Sequence, residues 1–492
     1  MSATDFQRGD TFTGFFPSMS PSESFLSGLR NSSYEDSQRF ARYQEFFDAY
    51  NGKHWKDVER VDNERRVTSN FCRLFVNKGA SFLTSKGWYI DDKDDTYSKD
   101  QIDFLNDVWR VNNKDLLSFE MAQLGAIFGD VFLTILPNSQ KGIVINTVAP
   151  MFVTPIFHPA NKGLLLGAII EYPLNTDPTA QGSRNGPGLM SIYMDSMNIT
   201  QYVDGELVYS EPHGLGEVPL VFIRNRPEAA STYGTSDIAA IYDMNKLYNE
   251  KLQDISDIIN YHAAPVTLAY GVRLKNLQKG ARKFWAGLPS PKDAKIENLE
   301  LKSDLAASNA HLKSVMDLIF TLGEMPEIAF GKTQAVSNTT GLAIQLMYQP
   351  LLDVLNIKHK SYGSGLANAN RIITKYGIKF GYIQSPAIYT WLDMAKYLST
   401  DIIWNSPLPI DELLSLNMII SRLQQGLITY DDALSQLGVS NVRRYAQEIA
   451  NDVNSGRILS IKKSVNDSIS NIGGILRNPS TSNTNDVLIK NS

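Results

Sequence analysis

The chain has 492 residues, enough for several domains around a sizeable core. An apolar content of 43%, a charged content of 20% and a formal net charge of −5 belong to a globular chain, and they exclude one that coats nucleic acid with its whole surface. A local basic patch, or a channel that nucleic acid passes through, stays open. The single cysteine, Cys72, excludes an intrachain disulfide, and within the apolar stretch NFCRLFVNKG it reads as a buried thiol. No signal-peptide series opens the chain and no apolar run approaches ~18 residues, so the expectation is a protein that folds in a reducing cytosol.

Residues 1–35 are rich in Ser, Thr, Gly and Phe without a period and read as an irregular arm. Helices are expected over 36–60, over 65–86 with Val67, Phe71, Leu74, Phe75 and Phe82 on one face, and over 99–112 and 114–128. The period then changes. Short β-branched or aromatic runs at 129–138, 142–158, 163–174, 190–203 and 205–211, punctuated by Gly, Pro and Asn, predict an antiparallel sheet of meander type that HGLGEVPLVFIRN (213–225) closes. Gly214-Leu215-Gly216 is no dinucleotide loop, because Pro219 stands at the third glycine position.

A long helix is predicted from Ser236 to His262, with Ile241, Met244, Tyr248, Leu252, Ile255 and Ile259 spaced three or four apart, and Pro265 ends it. The insert 263–303 carries eight basic residues against three acidic ones. A second long helix is expected over 304–325, with Leu312, Val315, Met316, Ile319 and Leu322 on one face. A polar loop follows, then a third long helix over 340–375 that Pro350 is expected to kink. The stretch 399–412 reads as a returning strand. Residues 411–439 read as a helix, a Gly426 stop, a Thr429 cap and a further helix, and a Ser- and Asn-rich tail closes the chain.

The strongest hint of catalysis is Gly331-Lys332-Thr333, the tail of a phosphate-binding loop. Such a loop needs glycine five positions earlier, where Pro326 stands, and it must follow a strand, whereas a helix is expected here. The six histidines have no metal-ligand spacing, Gly363-Ser364-Gly365 lacks the outer positions of a nucleophile elbow, and the carboxylates read as solvated helix faces. No enzyme activity, metal or cofactor is expected. KGARKFWAG interleaves Lys279, Arg282 and Lys283 with Phe284 and Trp285, a pattern that suits nucleic acid or a small β/α element whose aromatics pack and whose charges face water or a protein partner, and the second is preferred.

The order of parts, α+β overall, resembles the portal protein family of tailed bacteriophages over about residues 36–450. Five stretches carry the resemblance: LGAIFGDVFLTI; HGLGEVPLVFIRN; YGTSDIAAIYDMNKLYNEKLQDISDIINYHAAPVTLAYG; GEMPEIAFGKTQAVSNTTGLAIQLMYQPLLD; and LPIDELLSLNMIISRLQQGLITYDDALSQLG. The resemblance implies long stem helices, an antiparallel wing sheet, a small α/β clip and a helical crown. Carried onto this chain it gives an N-terminal arm 1–35, a wing 36–235, a first stem helix 236–262, a clip 263–303 and a second stem helix 304–325. A tunnel loop 326–340, a kinked wing helix and returning strand 341–410, a crown 411–455 and a disordered polar tail 456–492 follow.

The family also implies a dodecameric ring at one capsid vertex, assembled in the host cytoplasm. Its expected partners are further copies of the chain, the terminase large subunit, a head-tail connector, capsid and scaffolding proteins, and double-stranded DNA passing without sequence preference. Lys332, with Gln334, Ser337, Asn338 and Thr339, is then expected to meet DNA, and Lys279, Arg282, Lys283, Phe284 and Trp285 to dock a protein partner. Ile255, Ile259, Leu312 and Ile319 are expected to pack between subunits. Two rival readings are another virion structural protein, such as a minor head or adaptor protein, and a nucleotide hydrolase using Gly331–Thr333.

Overall fold

The computed structural model describes residues 34–55, 66–91, 99–138, 142–174, 188–229, 231–263, 267–270, 295–298, 305–331, 346–384, 398–407 and 412–429, with isolated residues from 433 to 455. The chain divides into two compact units, one of residues 1–90 and 96–408, the other of residues 91–95 and 409–492.

The first unit opens with four helices, α1 (Tyr34–Tyr50), α2 (Phe71–Thr84), α3 (Lys99–Val111) and α4 (Lys114–Phe128). Helix α1 is ten residues shorter at its C-terminus than the 36–60 reading. Gly52 at φ +81° ends it, with Gly52 N–H donating to the Ala49 carbonyl and Lys53 N–H to the Asp48 carbonyl. Asn70 caps α2 by accepting from Arg73 N–H at 2.8 Å. A short strand β1 (Trp88–Ile90) lies between α2 and α3 and went unread in the sequence.

The expected single meander is two sheets. Strands β4 (Val153–His158), β5 (Asn161–Leu174), β6 (Gly188–Asp195), β7 (Asn198–Val203) and β8 (Glu206–Pro212) form a five-stranded antiparallel meander in chain order. Strands β2 (Asp130–Asn138), β3 (Gly142–Val148) and β9 (Leu220–Arg224) form the second sheet, with β2 in the centre. The run 142–158 therefore belongs to both sheets, broken by a 3-10 turn at Pro150–Phe152. The run 190–203 is two strands joined through the turn at Met197.

Strand β2 explains the layering. Val131, Leu133 and Ile135 face the helices, while Phe132 and Leu136 face the meander with Ala168, Ile170, Met194 and Ile199. A strand covered on both faces needs an unbroken apolar run, and DVFLTIL supplies one. Phe132 and Phe222 are cross-strand partners with rings stacked at 5.1 Å.

Helix α5 (Tyr242–Ala263) leads into an antiparallel pair, β10 (Thr267–Tyr270) and β11 (Lys295–Asn298), and α6 (Leu305–Leu322) returns. Helix α7 (Gln349–Lys379) then crosses the second sheet. Pro350 sits in its first turn, where a missing N–H costs nothing; Leu346 and Met347 before it are helical too, with a turn at Tyr348, so the helix is interrupted beside Pro350. Gly363-Ser364-Gly365 lies within α7, and a Cβ on Gly365 would stand 2.3 Å from Ile223, so this glycine lets helix and sheet touch. Strand β12 (Ile402–Trp404) returns to pair with β1.

In the second unit α8 (Glu412–Gln424) ends at Gly426, φ +70°, with Leu427 N–H donating to the Arg422 carbonyl. Ala433 N–H donates to the Thr429 carbonyl and opens the next turn, as the Thr429 cap predicts. Ile419, Ala433 and Leu434 are buried there.

Candidate functional site

The α5–α6 hairpin is held to the first unit in two ways. Helix α5 carries amides at three successive turns. Asn245 Oδ1 accepts from Phe71 N–H at 2.9 Å and Cys72 N–H at 3.2 Å, and its Nδ2 donates to the Ser69 carbonyl at 2.9 Å. Asn249 Oδ1 accepts from Ser69 N–H at 2.7 Å, and Gln253 Oε1 from Val67 N–H at 2.9 Å. This seam satisfies backbone groups of residues 67–72, including the first N–H groups of α2. Cys72 lies beneath it, fully buried, its thiol pushed up to about 12 by burial.

Helix α6 is held by rings. Phe320 packs against Phe75 at 5.6 Å and Phe330 at 5.4 Å, and Phe75 meets Phe330 at 5.5 Å. Gly323 follows, so close to Phe75 that a Cβ would lie 2.1 Å from its ring. Glu324 then takes φ +53°, a left-handed turn rare for a residue with a side chain, and Met325 N–H donates to the Phe320 carbonyl. Pro326 and a 3-10 turn, Glu327–Phe330, lead to Gly331 at φ +79°. Gly331 thus follows helical turns, which removes the strand a nucleotide loop requires.

Behind this turn the segments after β9 and before α5 meet the end of α6, α2 and α7. Ser236 Oγ donates to the carbonyls of Ala126 and Ile127 (2.9 and 2.7 Å) and Asp237 N–H to Ala126, closing the end of α4. The Asp237 carboxylate accepts from buried Lys358 Nζ at 2.5 Å and Asn225 Nδ2 at 2.9 Å, and Tyr362 O–H donates to Asn225 Oδ1 at 3.1 Å. Arg226 Nη2 reaches Glu324 Oε2 at 2.6 Å. Arg226, Asp237, Glu324 and Lys358 all line one small cavity of about 20 Å³, room for a single water.

Two further networks brace the sheets. His213 Nδ1 accepts from Leu215 N–H at 3.3 Å, which leaves Nε2 to donate to the Asp195 carbonyl at 2.9 Å, and burial lowers its pKa, so the ring is neutral. On α7, Arg371 and Lys375 both pair with Glu217 at 2.8 Å, and Lys379 donates to the His213 carbonyl at 2.7 Å, so HGLGEVP is a clasp between meander and helix. Asp130, fully buried, accepts from Tyr43 O–H at 2.6 Å and Gly234 N–H at 2.8 Å; burial raises its carboxyl to about 6, against the pull of these donors and of Arg39 and Arg224.

Of the expected subunit-packing residues, Ile319 is fully covered by the chain itself and Ile255 is 7% exposed. Both are buried against the chain's own residues. Leu312 is half-buried, and Ile259 is 52% exposed. The expected DNA-contacting set, Lys332, Gln334, Ser337, Asn338 and Thr339, lies outside the described residues, as do Lys279, Arg282, Lys283, Phe284 and Trp285. The sequence reading missed the amide seam and the charged joint. The spacing Asn245, Asn249, Gln253 on one stripe of an otherwise apolar-patterned helix was a signal for the seam. Asp237 and Lys358, 121 positions apart, left none.

Among the described residues no group of acidic, His or Cys side chains could hold a metal ion, and no helix is long and apolar enough to cross a membrane. No curated sequence relative matches the chain. A solved structure described as the neck of an empty GTA particle computed with C6 symmetry is similar at 11% identity, with a TM-score of 0.48, over 76% of this chain and 91% of that one. Residues 29–455 match the family described as phage portal protein, SPP1 Gp6-like. That match spans the sheets, the α5–α6 hairpin, the Glu324 turn and helix α7, and over that span the chain belongs to the SPP1 Gp6-like family of phage portal proteins.

Proposed function

We propose that the chain forms a ring, a dodecamer, at one capsid vertex, and that the ring is a channel for DNA packaging and ejection and a platform for the terminase and the head-tail connector. The observation that carries this reading is the family match over 29–455. The α5–α6 hairpin supports it, because Ile259, Leu318 and Leu322 remain 52%, 43% and 41% exposed on it after the chain has folded. In a ring a neighbouring copy covers such residues. The loop around 331–340 is then the DNA-facing element. Lys332 meets phosphates there without reading bases, and Gln334, Ser337, Asn338 and Thr339 add neutral contacts. The basic insert, with Lys279, Arg282, Lys283, Phe284 and Trp285, docks the terminase and later the connector.

The test is native mass measurement and negative-stain imaging of the purified chain beside Ile259→Asp. Rings with a central hole are expected from the parent chain. The variant should fold normally, since the residue is exposed, yet yield monomers or broken rings. Compact monomers from the parent chain would defeat the reading. Intact rings from the variant would move the interface away from this face of the hairpin.

A further inference from the structure

Two bases and two acids line the cavity together, each acid paired with one base. Asp237 lies in the turn five residues before α5 and Glu324 just past the end of α6, while Arg226 follows β9 and Lys358 lies in α7. The observed pairing is Lys358 with Asp237 and Arg226 with Glu324. The first pair is nearly covered, with side-chain exposures of 4% and 16%, whereas the second is looser, at 28% and 42%.

Three features make the second pair the one that gives way. Glu324 holds a backbone conformation that disfavours a side-chain-bearing residue, so the ion pair works against a strained turn. Its partner Arg226 is partly exposed and has a long, adaptable side chain. The cavity beside the pairs holds a single water at most, so any exchange would have to run through the solvent-open side, where Arg226 and Glu324 are 28% and 42% exposed. Gly323, wedged on Phe75, fixes the position of the turn, so the freedom left at this point is in the charges.

We propose that this quartet is a two-state switch in which the pairs exchange, Lys358 turning to Glu324 and Arg226 to Asp237. In the observed state α7 is tied to the turn before α5. In the exchanged state α7 is tied to the end of α6, so the two ends of the connection between α6 and α7 are linked directly. Net charge is conserved and no charge is left unpaired, which keeps the two states close in energy. The part this would play in setting the foot of the DNA-facing loop rests on the function proposed above. The exchange itself stands apart from that reading.

Hydrogen exchange by mass spectrometry on the full chain separates the two states. In Arg226→Gln, Glu324 has only Lys358 to turn to, and Asp237 loses it. Residues 237–245 should then exchange at least about threefold faster. In Glu324→Gly, which fits the left-handed turn and removes the competing acid, the same residues should exchange more slowly. A static pair of salt bridges gives the opposite pattern, with changes confined to 320–331 in Arg226→Gln and none at 237–245 in either variant. That result overturns the proposal, whether or not the chain forms rings or moves DNA.

Discussion

Helices α5 and α6 run side by side and both pack rings on the same body, Tyr242 on Phe46 and Tyr248 on Phe71 for α5, but α5 adds a row of amide bonds. Helix α5 meets residues 67–72 through directional amide bonds, each between 2.7 and 3.2 Å. Helix α6 meets α2 and the 3-10 turn through the rings of Phe75, Phe320 and Phe330. Ring packing is large in energy and loose in direction, so it holds a helix against its support and says little about its position along it. Amide bonds are small in net energy and strict in geometry, so they fix the register. The helix that begins just beyond the charged joint is thus set in place, and the helix that ends there is held by adhesion.

The largest expected break in this contrast is Phe75→Ala. It removes the ring that three neighbours share, at a cost of about 3–5 kcal/mol, read from the denaturant midpoint of the full chain. The loosening should spread to α6 and Phe330, with exchange at 67–72 changed least.

Asn245→Ala should cost on the order of 3 kcal/mol, because Phe71 N–H, Cys72 N–H and the Ser69 carbonyl lose their shared partner. Its signature is local. Exchange at residues 69–72 should rise well before α6 is affected. Equal loosening of both helices would show that register and adhesion are not separable here.

The smallest effect sharpens the comparison through pH. The amide seam contains no titratable group, so its share of stability is flat with pH. Asp130 is a polar anchor of the other kind. Its folded carboxyl is raised to about 6 from 3.8, so the folded state binds more protons between about pH 4 and 6 and stability falls as pH rises through that window. The fall amounts to at most about 3 kcal/mol, to order of magnitude. Asp130→Asn should flatten that slope in denaturation curves taken across the window, and Asn245→Ala should leave it unchanged.

Much of the fold was legible because it rests on local patterns. Helices α3 and α4, the change of period at Gly129, the Gly426 stop and the apolar stripe of α5 follow from spacing and turn chemistry. The break expected at Pro350 falls at Tyr348, just before the proline. What failed depended on distant partners. The three residues of β1 are too few to carry a period and become a strand only beside Ile402–Trp404. The division into two sheets was invisible because β3 and β4 share one apolar run, and only the return of β9 to β2 separates them. The joint was the least legible part. A lysine on an amphipathic helix reads as a solvated charge, and Lys358 is buried because Asp237 meets it there. Asn245 and Asn249 were passed over for the same reason, since an apolar stripe draws attention from the amides beside it.

The central position of β2 also sets a schedule for synthesis. Its pairing with β3 is a hairpin available at once, but its other edge waits for β9, which leaves the ribosome about 80 residues later. At ordinary elongation rates of about 5–20 residues per second the wait is roughly 4–16 s. During it Val131, Leu133 and Ile135 are without part of their final cover, and β2 offers an open edge to any other nascent chain. The five meander strands made in that interval pair only with sequence neighbours and can fold on their own schedule. This delay is the point at which strand exchange between nascent chains competes with correct folding.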